Sequence, residues 1–358
     1  MNDIKVNKEK LKNYLKELVS IPSYKDCKNI QNYISDKLSF LRWEKQFIGK
    51  NDLYNLISIN PRKPFLINTH VDTVPPIDME NPFELKEKNG AFYGRGTADT
   101  KGLIASLILA IELFKKNFPK KELPVSLAFT VDEEQNTALG SEKLREVLKP
   151  IKYALILEPT YEKICNKQMG TVEFRLDLQV PSAHAAEFEK YTNPSKELCR
   201  ILNQLEDTLQ RDINIIKFHS GWEYYAIPKE AQILGEFKIY EGEKAKTLEQ
   251  KLIETIAKHK NLQCTIEDSE DFLYFGEGFL VDTLKKAYSK ALNKEAKLGT
   301  MPSWTDAANI CKENVECVIF GTSHLDIAHT DREHITVKQM EDMTKVLYSL
   351  FSILSHLT

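Results

Sequence analysis

The chain reads as an α/β sandwich with a mostly parallel sheet, interrupted by a smaller inserted α+β (ferredoxin-like) domain. Three observations carry this. Between positions 50 and 157, short apolar runs bounded by Gly and Pro alternate with helix-period segments, the order of strand–helix–strand units. Near Cys165 the pattern switches to strict alternation, with Val172, Phe174, Leu176 and Leu178 set against Glu173, Arg175, Asp177 and Gln179. That is a half-exposed antiparallel strand. Beyond Gly278 helical periodicity returns.

Taken in order, 7–20 places Leu11, Tyr14, Leu15 and Leu18 at helical spacing and must stop before Pro22. A second helix follows over 29–41. Segments 53–59 and 65–68 read as buried strands, and 91–93 as a short strand in a glycine-punctuated loop. The stretch 101–114 is apolar on most sides, a helix packed on a sheet. A strand is predicted over 125–131, a helix over 141–148 and a strand over 153–157. In the insert, strand 171–180 is followed by helix 193–209, strands 213–218 and 231–240, helix 246–259 and strand 262–266. This β-α-β-β-α-β order is that of a small open-faced α+β unit. Helices over 279–293 and 305–312, a strand over 316–320 and a closing helix over 337–357 complete the first domain. The predicted division is 1–165 with 277–358 for one domain and 166–276 for the insert.

With 358 residues and 42% hydrophobic content, two domains with real cores are expected. A net charge of -3 argues against a nucleic-acid surface or an anionic-membrane binder. The charged start, MNDIKVNKEKLKN, has no apolar leader. The longest apolar run, 103–111, is too short to span a bilayer. The six cysteines are scattered without a C-x-x-C pair, which indicates neither a thiolate zinc site nor a redox motif and points to the cytoplasm.

The chemistry lies in a series of acids and imidazoles at the ends of apolar runs. His70 and Asp72 stand in NTHVDTVPP, Asp99 in YGRGTADTKG, Glu133 and Glu134 in FTVDEEQN, Glu158 in LILEPT and His329 in IAHTDREH. A spacing of two puts His70 and Asp72 on one side of an extended chain, so Asp72 can hold one ring N–H while the other nitrogen ligates metal. The glycine-rich turn before Asp99 has neither the Walker nor the G-x-G-x-x-G spacing, and an acid there repels phosphate but suits a carboxylate bridging two cations. Of the neighbours Glu133 and Glu134, one can ligate while the other faces substrate as a base. Each element alone is also an ordinary turn, solvated acid or loop histidine. Together they fall at the C-terminal ends of successive strands, where open α/β sheets build sites. Mixed His and carboxylate ligands suit zinc, or manganese or cobalt in its place.

HVDTVP, GRGTADTKG, TVDEE, LEPT and AHTDREH together resemble the dinuclear-zinc deacylases and peptidases, a family that includes acetylornithine deacetylase, succinyl-diaminopimelate desuccinylase, aminoacylases and glutamate-type carboxypeptidases. The resemblance covers nearly the whole chain. It implies two Zn2+ ions, with Co2+ or Mn2+ as substitutes. His70, Asp99 and Glu158 would bind one, and Asp99, Glu134 and His329 the other. Asp72 would orient His70, and Glu133 would take a proton from the attacking water and pass it to the leaving amine. The insert would be a lid and dimerisation domain, making the protein a homodimer. His184 in PSAHAA would reach the partner subunit's site and stabilise the oxyanion.

The chain departs from the family pattern in two respects. Pro181–Ser182–Ala183 stands where a glycine usually precedes the lid histidine. Tyr225 in YYAIPKEA and Lys238 in GEFKIY stand where an asparagine and an arginine usually grip a substrate carboxylate. A lysine keeps the charge without the two-pronged grip. SWTDAANI resembles the W-T-E-A stretch of acetylornithine and acetylcitrulline deacetylases. Opening a helix, it would let Thr305 and nearby N–H groups hold an α-carboxylate and let Asp306 meet a cationic side chain. The expected function is hydrolysis of a small N-acyl amino acid, first of the N-acetylornithine type. Alternatives are an acyl-lysine or succinyl-diaminopimelate deacylase, a di- or tripeptidase or carboxypeptidase, and, last, a non-catalytic paralogue.

Overall fold

The computed structural model describes residues 4–50, 52–135 and 137–357. The chain forms two compact units. The first comprises residues 1–167, 275–301 and 305–358, the second 168–274 with 302–304. Along the chain the first unit contributes α1 (Lys8–Val19), α2 (Lys28–Lys37), β1 (Glu44–Phe47), β2 (Tyr54–Ser58), β3 (Phe65–His70), β4 (Lys86–Lys88), β5 (Ala91–Tyr93), α3 (Gly102–Asn117), β6 (Ser126–Thr130), α4 (Leu139–Leu144), β7 (Tyr153–Ile156) and β8 (Ile164–Gln168). The second follows with β9 (Gly170–Gln179), β10 (Ala183–His184), α5 (Pro194–Leu209), β11 (Asn214–Ser220), β12 (Ala226–Ile227), β13 (Glu230–Ile239), α6 (Ala245–Ile256), β14 (Leu262–Glu270) and β15 (Leu273–Tyr274). The chain then returns with α7 (Phe279–Leu292), β16 (Leu298–Met301), α8 (Ala307–Ile310), β17 (Glu316–Ile319), β18 (His334–Thr336) and α9 (Val337–Leu354).

The main sheet of the first unit runs β1-β2-β6-β3-β7-β17-β8. Its centre is parallel: β6 with β3, β3 with β7, and β7 with β17. β1–β2, β2–β6 and β17–β8 are antiparallel and flank that centre. The central strands are buried along their length, as expected of parallel strands covered on both faces. α3 is buried from Gly102 to Ile111 and packs against α1 and α9, and α9 packs in turn on α7. α4 and α8 pack together and reach β6 and β7 respectively. Local chemistry sets the helix starts. Asn7 accepts from Lys10 N–H at the start of α1, and Thr336 and Gln339 form a reciprocal capping box at the start of α9.

The second unit is an antiparallel sheet in the order β11-β13-β9-β14 with α5 and α6 packed on it. The alternation along β9 puts Val172, Phe174, Leu176 and Leu178 in its core, where Ile201, Leu205 and Leu252 meet them. Asn193 caps α5 and Pro194 occupies its first turn.

Several elements differ from the sequence-based expectation. β1 is paired although its side chains are largely exposed, so no apolar pattern marks it. The helix expected over 305–312 is a four-residue turn of α-helix followed by a 3-10 turn. The one expected over 141–148 begins at Leu139 and tightens to 3-10 after Leu144.

Candidate metal centre

The parallel strands deliver the predicted residues to one edge. His70 is the last residue of β3 and lies level with Thr130, the last of β6. Glu133 and Glu134 follow β6 by three and four positions, Glu158 follows β7 by two, and His329 comes from the loop after β17. Adjacent parallel strands end on the same side, so their trailing loops share one crevice. Two close approaches hold the loops there. Gly321 lies where a Cβ would come within 2.2 Å of the Glu158 carbonyl oxygen. Gly96 adopts φ +83°, and a Cβ on it would meet Lys101 and Thr73 at 2.9 Å.

Asp99 stands at the centre. Its Oδ1 is 2.9 Å from His70 Nε2 and its Oδ2 is 3.5 Å from His329 Nε2. Glu158 Oε1 lies 3.6 Å from His70 Nε2, and Glu134 Oε2 lies 2.9 Å from His329 Nε2. Each imidazole therefore meets Asp99 through a different oxygen and adds one further carboxylate. Ligand atoms of His70, Asp99 and Glu134 lie within 4.8 Å of one another.

His70 Nδ1 contacts the backbone carbonyl oxygen of Asp72 at 3.0 Å. A carbonyl only accepts, so Nδ1 carries a proton, and Nε2 is the ring nitrogen that faces the cluster. Asp72 was expected to orient this ring through its side chain. Its Oδ1 stands farther off, at 3.7 Å, while its Oδ2 accepts from the backbone N–H of Glu134 at 3.0 Å. Asp72 thus joins the His70 strand to the turn that carries Glu133 and Glu134.

Electrostatics reflects the crowding of acids. Burial pushes the Asp72 carboxyl up to about 7, against the pull of His70. Burial likewise raises Glu158 to about 8 and holds Glu133 well above the usual carboxylate range. At Asp99 burial acts in the same direction, but hydrogen bonds from His329 and His70 outweigh it and hold the carboxyl below its ordinary value. Burial would lower His329, yet its bonds to Asp99 and Glu134 carry it up to about 10. For His70 the carboxylates of Glu158 and Glu133 similarly overcome burial and raise it.

These residues fit a divalent metal. Two imidazoles with carboxylates and no thiolate are a zinc-type donor set. Donors about 2.1 Å from a tetrahedral ion stand about 3.4 Å apart, and the spacings here run from 2.9 to 3.6 Å. A dication also supplies the positive charge that this many buried acids need.

The remaining predicted residues fare differently. Thr305 is buried, and its Oγ1 and carbonyl oxygen accept from Ala307 N–H (3.3 Å) and Ala308 N–H (3.0 Å). Those two N–H groups are therefore bonded within the turn itself. Asp306 is 1% exposed and accepts from Thr130 Oγ1 at 2.5 Å. That bond engages Oδ2, while Oδ1 is buried without a hydrogen-bond partner among the described residues. In the second unit, His184 pairs with Ala226 between β10 and β12, and Ala185 N–H donates to Tyr225 O at 3.1 Å, which brings His184 and Tyr225 together. Tyr225 is 91% exposed. Lys238 lies opposite Thr171 near the far end of β13, about 26 Å of strand beyond Glu230. It is engaged with Thr171 Oγ1 and Glu236 at 3.3 and 3.6 Å.

Sequence reasoning missed residues that hold the loops. Asp132, buried and at φ +68°, accepts from Lys50 Nζ (2.6 Å) and from Leu139 N–H (3.3 Å), bracketing the turn that carries Glu133 and Glu134. Glu333 and Arg95 form a buried ion pair at 2.6 Å. Glu333 lies within AHTDREH and Arg95 within YGRGTADTKG, but a charge in a polar loop carries no sign that it will be buried.

Residues 66–352 match the model of Peptidase family M20/M25/M40. The chain belongs to this family. It is accordingly a metal-dependent hydrolase of amide bonds. Among its relatives, a succinyl-diaminopimelate desuccinylase of Rickettsia bellii is 27% identical over 94% of each chain. An uncharacterised metallohydrolase of Methanocaldococcus jannaschii is 26% identical over 97% of this chain and 93% of that one. Human carnosine dipeptidase 1 shares the fold at a TM-score of 0.81 with 15% identity, over 98% of this chain and 96% of that one. A tripeptidase from Staphylococcus aureus does so at 0.80 with 19% identity, over 98% and 99%. No described helix of this M20-family chain is long and apolar enough to cross a membrane.

Proposed function

We propose that the protein hydrolyses the amide bond of a small N-acyl amino acid at a dinuclear centre. The observation that carries this is the sharing of Asp99, whose two oxygens face two different imidazoles. In this reading His70 and Glu158 serve one ion, His329 and Glu134 serve the other, and Asp99 serves both. A pair of zinc ions, when bound, would polarise the scissile carbonyl and lower the pKa of water. Glu133 accepts a proton from the attacking water as the new C–O bond forms. It returns that proton to the amine nitrogen as the C–N bond breaks. His184 Nδ1 accepts from Ala186 N–H at 3.2 Å. Its other nitrogen therefore carries the proton and is a donor for the oxyanion, in the partner subunit of a homodimer.

Two observations bear on the acyl group. SWTDAANI favours acetyl, as in N-acetylornithine. The similarity to desuccinylases favours succinyl, as in N-succinyl-diaminopimelate. We rank the succinyl substrate first, because the similarity to desuccinylases extends over most of the chain and SWTDAANI is a single short stretch. The test is a panel of N-succinyl-diaminopimelate, N-acetylornithine, acyl-lysines and di- and tripeptides on zinc-loaded protein, with metal content measured in parallel. Turnover of the succinylated substrate at a kcat/KM at least about tenfold above the others is expected. Preference for a dipeptide with a free amino terminus would replace the deacylase reading by a peptidase one.

A further inference from the structure

The Asp99 turn and the His329 loop are separate in sequence, yet the shared-metal reading above requires them to hold a fixed spacing. One buried ion pair connects them. Glu333 and Arg95 are each 1% exposed at the side chain and meet at 2.6 Å. The Glu333 carboxylate also accepts three backbone N–H groups of the Asp99 turn. Its Oε2 takes Gly96 N–H at 3.0 Å, and its Oε1 takes Ala98 N–H at 3.0 Å and Asp99 N–H at 3.2 Å. The Glu333 carbonyl accepts from Gly94 N–H at 3.4 Å. The turn is thus wound around this one acid, which lies four positions after His329.

Arg95 works in the opposite direction. Its Nη1 reaches Thr330 O at 3.4 Å, the residue next to His329, and its Nη2 reaches Pro76 O at 2.9 Å. His329 sits at φ +62°, a left-handed conformation uncommon outside glycine. The Asp99 turn therefore grips the His329 loop through Arg95, and the loop grips the turn through Glu333. Zinc donors tolerate errors of only a few tenths of an ångström, and both donors here lie on loops without ladder bonds of their own.

We propose that Glu333 and Arg95 are positioning residues that set the distance between Asp99 and His329, and so the affinity for the ion these two share. This rests on the dinuclear reading of the centre. Neither residue touches the reacting atoms. A pair that served only to balance buried charge would be replaceable by neutral groups of similar volume; a positioning pair would not.

The experiment titrates zinc into chelator-stripped protein against a chromophoric competitor and records thermal melting alongside. The double variant Arg95→Met with Glu333→Gln removes both charges of the pair together. It is expected to melt close to the wild type but to bind the second zinc equivalent about 10- to 100-fold more weakly. Arg95→Lys keeps the charge beside Glu333 but cannot span Thr330 O and Pro76 O. It is expected to weaken the second equivalent several-fold and provides the test should the double variant not fold. Wild-type affinity for both equivalents in a folded variant would overturn the positioning role. A wild type that takes up only one zinc, or none, would instead sink the dinuclear reading, and the proposal with it.

Discussion

At the scale of single residues, the centre assigns different work to chemically similar acids through their surroundings. Asp99 faces two imidazoles and is held ionised, whereas burial, reinforced by Glu158 and Glu134, pushes Glu133 toward its neutral form. A base that is not itself a ligand can be removed without emptying the centre. Glu133→Gln is therefore expected to retain wild-type zinc content while kcat falls by about 10²- to 10⁴-fold. Metal analysis and steady-state rates on one preparation check this, and a metal-depleted variant would make Glu133 a ligand. Asp72 teaches a related point. The H-x-D spacing correctly placed it beside His70, but the ring bonds its backbone carbonyl, and its side chain secures the Glu134 turn instead.

At the scale of elements, the parallel strands β6, β3, β7 and β17 do the positioning, because their C-terminal ends share one edge. In the second unit β11 is an edge strand of a different character. Ile215, Ile216 and Phe218 are 47%, 49% and 44% exposed along it, and among the described residues no strand pairs with its outer side. Unprotected apolar edges favour strand addition. The homodimer expected from the sequence would place a second copy at β11. Ile216→Lys is expected to shift the protein to monomer in sedimentation, with the melting temperature little altered. A monomeric wild type, or an unchanged dimer in the variant, would remove β11 from the interface.

At the scale of the whole molecule, the cost of gathering many acids in one crevice falls on the metal-free fold. An ion that binds only the folded chain stabilises it by mass action, about 4 kcal/mol when free metal exceeds Kd a thousandfold. Stripping with a chelator is expected to lower the melting transition of the first unit by several degrees, and zinc should restore it. An identical melting curve with and without chelator would show that the fold does not depend on the ion.

Much of the molecule was legible before any coordinate. Apolar runs with Gly and Pro punctuation located the central strands, because a strand buried on both faces must be apolar throughout. Strict alternation located β9. The acids and imidazoles at the ends of these runs marked the site by residue type and order alone. Elements whose side chains face solvent, such as β1, left no pattern to read. The turn at 305–312 looked like a helix start because Thr and Asp are good caps, but the chain ends the α-helix at Ile310 and spends the N–H groups internally. What the sequence by itself determined was the chemistry: a zinc-type donor set, a nearby base and a fold that carries both. Only the tertiary structure decided which oxygen meets which ring, that Thr305 and Asp306 are buried, and that Glu333 and Arg95 clasp two distant loops. Residue types dictate which bonds are possible, whereas pairing between loops over 200 positions apart depends on where the sheet sets them down.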